Sequence, residues 1–135
     1  MEKKNVLLLL TPKTELSCML DDMSVRQALE KMKAHGYMAI PVVSKSGEYT
    51  GTITEGDLLW KLIDEDYDVN ALDDINIKEI IRKDYTSPVK VDASIEELTS
   101  MITMQNFVPV VDDRNILMGI VTRKRVLKEL LNDEA

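Results

Sequence analysis

Gly36-Tyr37-Met38-Ala39-Ile40-Pro41-Val42-Val43, then a short polar turn, then Gly51-Thr52-Ile53-Thr54-Glu55-Gly56-Asp57-Leu58 form a passage that occurs twice. The second copy reads Asn106-Phe107-Val108-Pro109-Val110-Val111, a turn, and Gly119-Ile120-Val121-Thr122-Arg123-Lys124-Arg125-Val126. From the proline onward the copies keep a constant offset of 68 residues without a gap. A repeat of this kind fixes the architecture before any single residue is considered. Two unrelated small domains would not match position by position.

Working outward, each copy lies in the same order of elements. Ser24-Val25-Arg26-Gln27 and Ser94-Ile95-Glu96-Glu97 are capping boxes, in which a Ser hydroxyl caps a helix that carries Gln or Glu three residues later. Behind them Val25, Ala28, Leu29 and Met32, and then Ile95, Leu98, Met101 and Ile102, recur at helical spacing. Gly36 and Asn106 are residue types that end helices in the left-handed conformation. The Val- and Ile-rich runs at 39–43 and 49–54, and at 108–111 and 116–122, flank short polar turns and read as hairpins. Short strands at 16–20 and 89–91 precede each unit, and closing helices at 58–64 and 126–131 follow. The sequence thus predicts an α+β fold of two βαββα halves packed about a pseudo-twofold axis. Residues 1–66 form the first motif with its N-terminal segment, 67–76 a linker and 77–135 the second motif. The acidic stretch 64–74 lacks apolar periodicity and fits that linker, and 77–81 fits a short lead-in helix.

Composition narrows the function. Of 135 residues, 44% are apolar and 30% charged, a globular balance, and the net charge is −7. That charge argues against a general nucleic-acid binder, which needs clustered Lys and Arg, although 123–128 is locally basic. Cys18 is the only cysteine, so disulfide frameworks and Cys-based zinc sites are excluded, and Leu16 and Leu20 beside it suggest a buried thiol. The apolar run Val6–Leu10 is too short for a secretory or membrane-spanning segment, which implies a cytoplasmic protein with no membrane partner. The carboxylates of 64–68 lack calcium-loop spacing, and His35 suits a helix C-terminus better than a metal. No catalytic triad, Cys-His pair or Walker-type loop is visible, so no catalytic residue and no metal site is assigned.

The Tyr-x-x-Ile-Pro-Val-Val and Phe-Val-Pro-Val-Val strands, with the loop at 51–57 and its altered copy at 119–125, resemble a tandem CBS-domain pair, or Bateman module. The resemblance covers about residues 11–62 and 77–130. Leu10-Thr11-Pro12-Lys13 and the stretch 35–60 resemble small bacterial proteins made of a CBS pair and nothing else. The resemblance implies two clefts between the halves that bind adenosine ligands: AMP, ADP, ATP, S-adenosylmethionine or cyclic di-AMP. It further implies a homodimer that changes shape on binding and signals to a regulated protein. No cofactor is required; the nucleotide is a regulatory ligand.

Within that frame, Thr54 can donate to a phosphate beside the amides of 55–57 at a helix N-terminus, and Asp57 can grip a ribose diol. The same residues also make an ordinary helix cap. In the second copy Thr122 persists, but Asp57 becomes Arg125, with Arg123 and Lys124 beside it. Arginines suit phosphate, and cations at a helix N-terminus call for an anion nearby. Tyr37 and Phe107 are read as equivalent aromatics before the proline strands. With Ala39, Ile40, Pro41, Val108 and Pro109 they would form apolar slots for an adenine ring, or else ordinary core. Thr86 and Ser87, and Thr11-Pro12-Lys13, are further candidate contacts, although Ser/Thr-Pro is also a turn signal. Trp60 is expected either to pack within the module or to lie at a dimer contact. The expected function is a non-catalytic adenine-nucleotide sensor. Its rival is a protein-interaction module with empty, vestigial clefts.

Overall fold

The computed structural model describes residues 6–36, 38–82 and 86–134, with residues 133 and 134 described by their backbone alone. In chain order they form α1 (Val6–Leu9), β1 (Thr11–Pro12), β2 (Met19–Leu20), α2 (Val25–His35), β3 (Ala39–Val43), β4 (Tyr49–Thr54) and α3 (Glu55–Asp64). After 3₁₀ turns at Val69–Asp74 and Ile77–Glu79 come β5 (Val89–Lys90), α4 (Ile95–Met101), β6 (Phe107–Val111), β7 (Leu117–Thr122) and α5 (Arg123–Glu134). The fold is α+β, and each repeat has the βαββα order that the sequence predicts.

Two compact units result, one from 17–82 and the other from 6–16 together with 86–134. The first-repeat unit has a three-stranded sheet in the order β2-β3-β4, with β2 parallel and β4 antiparallel to β3. Alternation along β3 sends Ile40 and Val42 to one face, where they meet Val25, Ala28 and Met32 of α2 and Leu58 of α3. In the second-repeat unit, Val108 and Val110 of β6 likewise meet Leu98 of α4 and Val126 of α5. Even the irregularity repeats, since the register shifts at Val42/Val43 and again at Val110/Val111.

The N-terminal segment departs from the expected organisation. Instead of accompanying the first motif, β1 pairs antiparallel with β7, Thr11 opposite Ile120 and Pro12 opposite Gly119. This extends the second sheet to four strands, β1-β7-β6-β5, and Val6 and Leu9 enter its core. Reciprocally, Arg82, which precedes the second motif in sequence, bridges Thr52 of β4. Each unit is therefore completed by the segment that leads into the other.

Glycine makes both crossings possible. A Cβ on Gly119 would collide with the Thr11 carbonyl oxygen, and one on Gly51 with the Ile81 side chain. That is the physical reason the repeat carries Gly at this position in both copies.

The presumed linker is also structured. Val69–Asp74 is a 3₁₀ turn capped by Asp68, and its Leu72 lies fully buried in the first core with Ile77. One apolar residue among acids gives no periodicity, but it suffices to anchor a turn. The lead-in helix shortens to a 3₁₀ turn at Ile77–Glu79.

Gly36 ends α2 in the left-handed conformation, with φ 68°. Asn106 does not have this role: α4 stops at Met101, and Arg123 Nε donates to the freed carbonyl of Ile102 at 2.7 Å. Cys18 is half-buried rather than buried, its carbonyl accepting from Lys31 Nζ at 2.6 Å. Trp60 is 61% exposed, so it does not pack within its unit.

Candidate functional site

Two loops carry the candidate chemistry, one at each strand-to-helix junction. In the first, β4 ends at Thr54 in extended geometry and α3 begins at once. Thr54 Oγ1 accepts from the Asp57 amide at 3.1 Å, and Asp57 Oδ2 accepts from the Thr54 amide at 2.9 Å. This reciprocal pair is a complete capping box, so the helix-cap role is real whatever else these residues do. The Glu55 amide donates to the Met38 carbonyl at 3.0 Å. Of the three amides expected to face an anion, those of Glu55 and Asp57 are thus taken within the fold.

The first loop holds a residue that sequence reasoning missed. Arg82 Nε lies 2.6 Å from Asp57 Oδ1, forming an ion pair with a carboxylate that is 5% exposed. Nothing local in the sequence signals it, because a backbone bridge 30 residues away from Thr52 brings it there. Both Asp57 oxygens are engaged, and the loop is less anionic than its sequence suggests.

The second loop repeats the frame with different charges. Thr122 Oγ1 accepts from the Arg125 amide at 3.1 Å, and the Arg123 amide donates to the Asn106 carbonyl at 2.9 Å. Arg125 sits three residues after the capping Thr, where a cation opposes the helix dipole. The anion expected to relieve this is inside the chain: Arg125 Nη1 pairs with Glu129 Oε2 at 2.9 Å. The position facing this loop that corresponds to Arg82 is held by Thr11, opposite Ile120.

The apolar candidates separate by face. Ile40 and Val108 are 1% and 0% exposed and belong to the two cores, so their side chains serve packing. Pro41 and Pro109 lie on the opposite faces of β3 and β6, paired with Thr52 and Ile120. The equivalence of Tyr37 and Phe107 does not hold. Phe107 pairs with Thr122, and its counterpart opposite Thr54 is Ala39. Counting back from each proline gives the same answer: Tyr37 stands four residues before its proline and Phe107 two. Tyr37 itself lies outside the described residues.

Thr86 is buried, and the Ser87 amide donates to Gln105 Oε1 at 3.0 Å. Gln105 Nε2 donates in turn to the Phe107 carbonyl at 3.0 Å, which ties Ser87 to the start of β6. Lys13 lies in a 3₁₀ turn directly after β1. His35, the last residue of α2, has Nδ1 3.5 Å from Ser17 Oγ.

Elsewhere, an open pocket of about 380 Å³ lies at the N-terminus of α2, lined by Asp22, Ser24, Gln27 and residues 73–76. Its acidic lining is unsuited to phosphate. Among the described residues, no group of three His, Cys, Asp or Glu side chains could hold a metal, and no helix is long and apolar enough to cross a membrane.

Known proteins show the same architecture. A family model described as the CBS domain matches residues 12–64 and 77–132. The fold is similar to a crystal structure of CbpB in complex with c-di-AMP, at 22% identity and a TM-score of 0.87, over 98% of this chain and 91% of that one. It is also similar to a CBS-domain protein from Streptococcus pneumoniae TIGR4, at 28% identity and a TM-score of 0.87, over 94% and 86% of the two chains. An uncharacterised protein of Methanopyrus kandleri is 30% identical over 104 residues, which are 73% of this chain and 49% of that protein. The chain spans half or less of the length of the curated relatives it matches.

Proposed function

The chain belongs to the CBS-domain family, and we propose that it is a non-catalytic regulatory module that binds adenosine-containing nucleotides and relays their presence to a partner protein. The observation that carries this reading is the repeated strand–threonine–helix loop, in which the hydroxyls of Thr54 and Thr122 accept from the amide three residues on, where the charge differs. A helix N-terminus with a hydroxyl at its cap favours phosphate. The likeness in fold to a c-di-AMP complex supports the ligand class.

In the first loop Thr54 meets phosphate and Asp57 meets ribose, beside a slot lined by Ala39, Pro41 and the backbone of Ile40. This loop takes AMP, ADP or ATP. In the second, Thr122, Arg123 and Arg125 meet phosphate near Phe107, Val108, Pro109, Thr86 and Ser87. Two arginines suit a cyclic dinucleotide. A cytoplasmic homodimer is part of the proposal. Leu59 and Trp60 on α3, and Leu127 and Leu131 on α5, are exposed apolar side chains that self-association would cover.

One observation favours a second reading. The side chains of Asp57, Arg123 and Arg125 already have partners within the chain, as vestigial clefts in a protein-interaction module would.

Thermal unfolding with AMP, ADP, ATP, S-adenosylmethionine and cyclic di-AMP separates the two. A ligand at about a hundredfold over its Kd adds about 2.7 kcal/mol, enough to raise the midpoint by several degrees. The shift should shrink in Thr54→Ala for mononucleotides and in Arg125→Ala for the cyclic dinucleotide. No shift with any of the five ligands leaves the interaction module as the answer.

A further inference from the structure

Gln105 is a polar side chain in an apolar setting, only 8% exposed and next to the buried Phe107 and Val108. Its amide bridges two stretches of backbone. Oε1 accepts from the Ser87 amide at 3.0 Å, and Nε2 donates to the Phe107 carbonyl at 3.0 Å. A longer contact of 3.5 Å runs from Nε2 to the Ser87 carbonyl. The backbone fixes which way the amide faces, since an N–H can only donate and a carbonyl can only accept. The bridge lies just before β5 and β6 begin to pair at Val89 and Val110, among the residues of the second base slot. One acceptor beside one donor is also what adenine presents, a ring nitrogen next to the N6 amino group.

We infer that Gln105 is a specificity-determining residue of the second slot, an internal stand-in for the base that an adenine must displace to use these backbone groups. The inference rests on the reading of the second loop as a nucleotide site. An entering base restores the two bridging bonds but adds none, because the side chain already makes them. Compared with a slot lacking the amide, affinity falls by about thirtyfold, the net worth of two ordinary hydrogen bonds. Binding there then depends on phosphate, which favours a cyclic dinucleotide with its two phosphates over AMP. In the first repeat the residue two before Ala39, as Gln105 is two before Phe107, is Tyr37, a residue type without an amide. The amide is thus particular to the second copy.

NMR of the ¹⁵N-labelled full chain tests this, with the Ser87 amide reporting the second slot and the Gly56 amide the first loop. In Gln105→Ala, AMP should bind at Ser87 about thirtyfold more tightly than in wild type, while the affinity read at Gly56 stays the same. A second measurement needs no variant. The side-chain NH₂ protons of Gln105 should exchange slowly with solvent in free wild type and quickly once cyclic di-AMP saturates the Ser87 shift. If Ser87 gives the same AMP affinity in both proteins, or if the NH₂ stays protected in the complex, the inference falls while the nucleotide reading stands. If Ser87 responds to neither ligand in either protein, the reading of the second loop falls and takes the inference with it.

Discussion

At Thr54 and Thr122 one hydroxyl does the same work twice, while the side chain three residues on changes from carboxylate to guanidinium. Neither charge stands alone. Asp57 is answered from outside its repeat by Arg82, and Arg125 from its own helix by Glu129. The hairpin turns make a similar substitution. Ser44 Oγ accepts the Glu48 amide at 3.2 Å, and at the matching place Asp112 Oδ1 accepts the amides of Ile116 at 2.9 Å and Arg114 at 2.8 Å. The Ile116 amide, the largest influence, holds the Asp112 carboxyl below its ordinary value; desolvation opposes it, and the amide and charge of Arg114 add smaller lowering effects. A depressed carboxylate stabilises the fold above its unfolded-state pKa, and the benefit is lost as pH falls through the folded value. Asp112→Asn should therefore lower the urea midpoint at neutral pH, with the two proteins converging in acid. An equal gap at both ends of the pH range would show that the charge contributes nothing at this turn.

Among the elements, the two glycine crossings are the most sensitive to change. Gly119→Ala sets a methyl against the backbone of β1, and backbone cannot turn aside as a side chain can. A loss of about 1–3 kcal/mol is expected, with β1 displaced from β7. At Gly51 the obstacle is the Ile81 side chain, but φ of 153° adds backbone strain, so Gly51→Ala should also destabilise. Chemical denaturation gives the size of each loss, and hydrogen exchange at Ile120 reports whether β1 has left. What the sequence made legible follows from the range of the forces involved. Capping boxes, hairpins and helix faces are local patterns, so they could be read from Ser24, Ser94 and the proline strands. The β1–β7 pairing and the approach of Arg82 to Asp57 join distant residues that share no pattern, so they could not. Leu72 was missed for another reason: a single buried side chain in an acidic stretch has no period. The site's frame, Thr54, Asp57 and Thr122, was legible in outline. The internal partners of its charges were not, apart from the expectation that the second loop's cations need an anion.

For the whole molecule, the reciprocal exchange of lead-in segments makes the units unequal in their dependence on the chain's start. The 17–82 unit contains all the strands of its sheet, whereas the other borrows β1, Val6 and Leu9 from before residue 17. Deleting residues 1–12 should cost amide protection in β7 and α5 and leave 17–82 protected, as read by native-state hydrogen exchange. Equal loss across both units would contradict this division.

The same arrangement sets an order of events during synthesis. Val6, Leu9 and β1 are made about a hundred residues before their partners at 107–122. The 17–82 unit can close as soon as Arg82 has cleared the ribosome. At about 5–20 residues per second, the apolar segment Val6–Leu10 waits on the order of ten seconds for its sheet. A segment made before its partners is thus buried after most of the chain, and for that interval Val6–Leu10 is a stretch a chaperone would find.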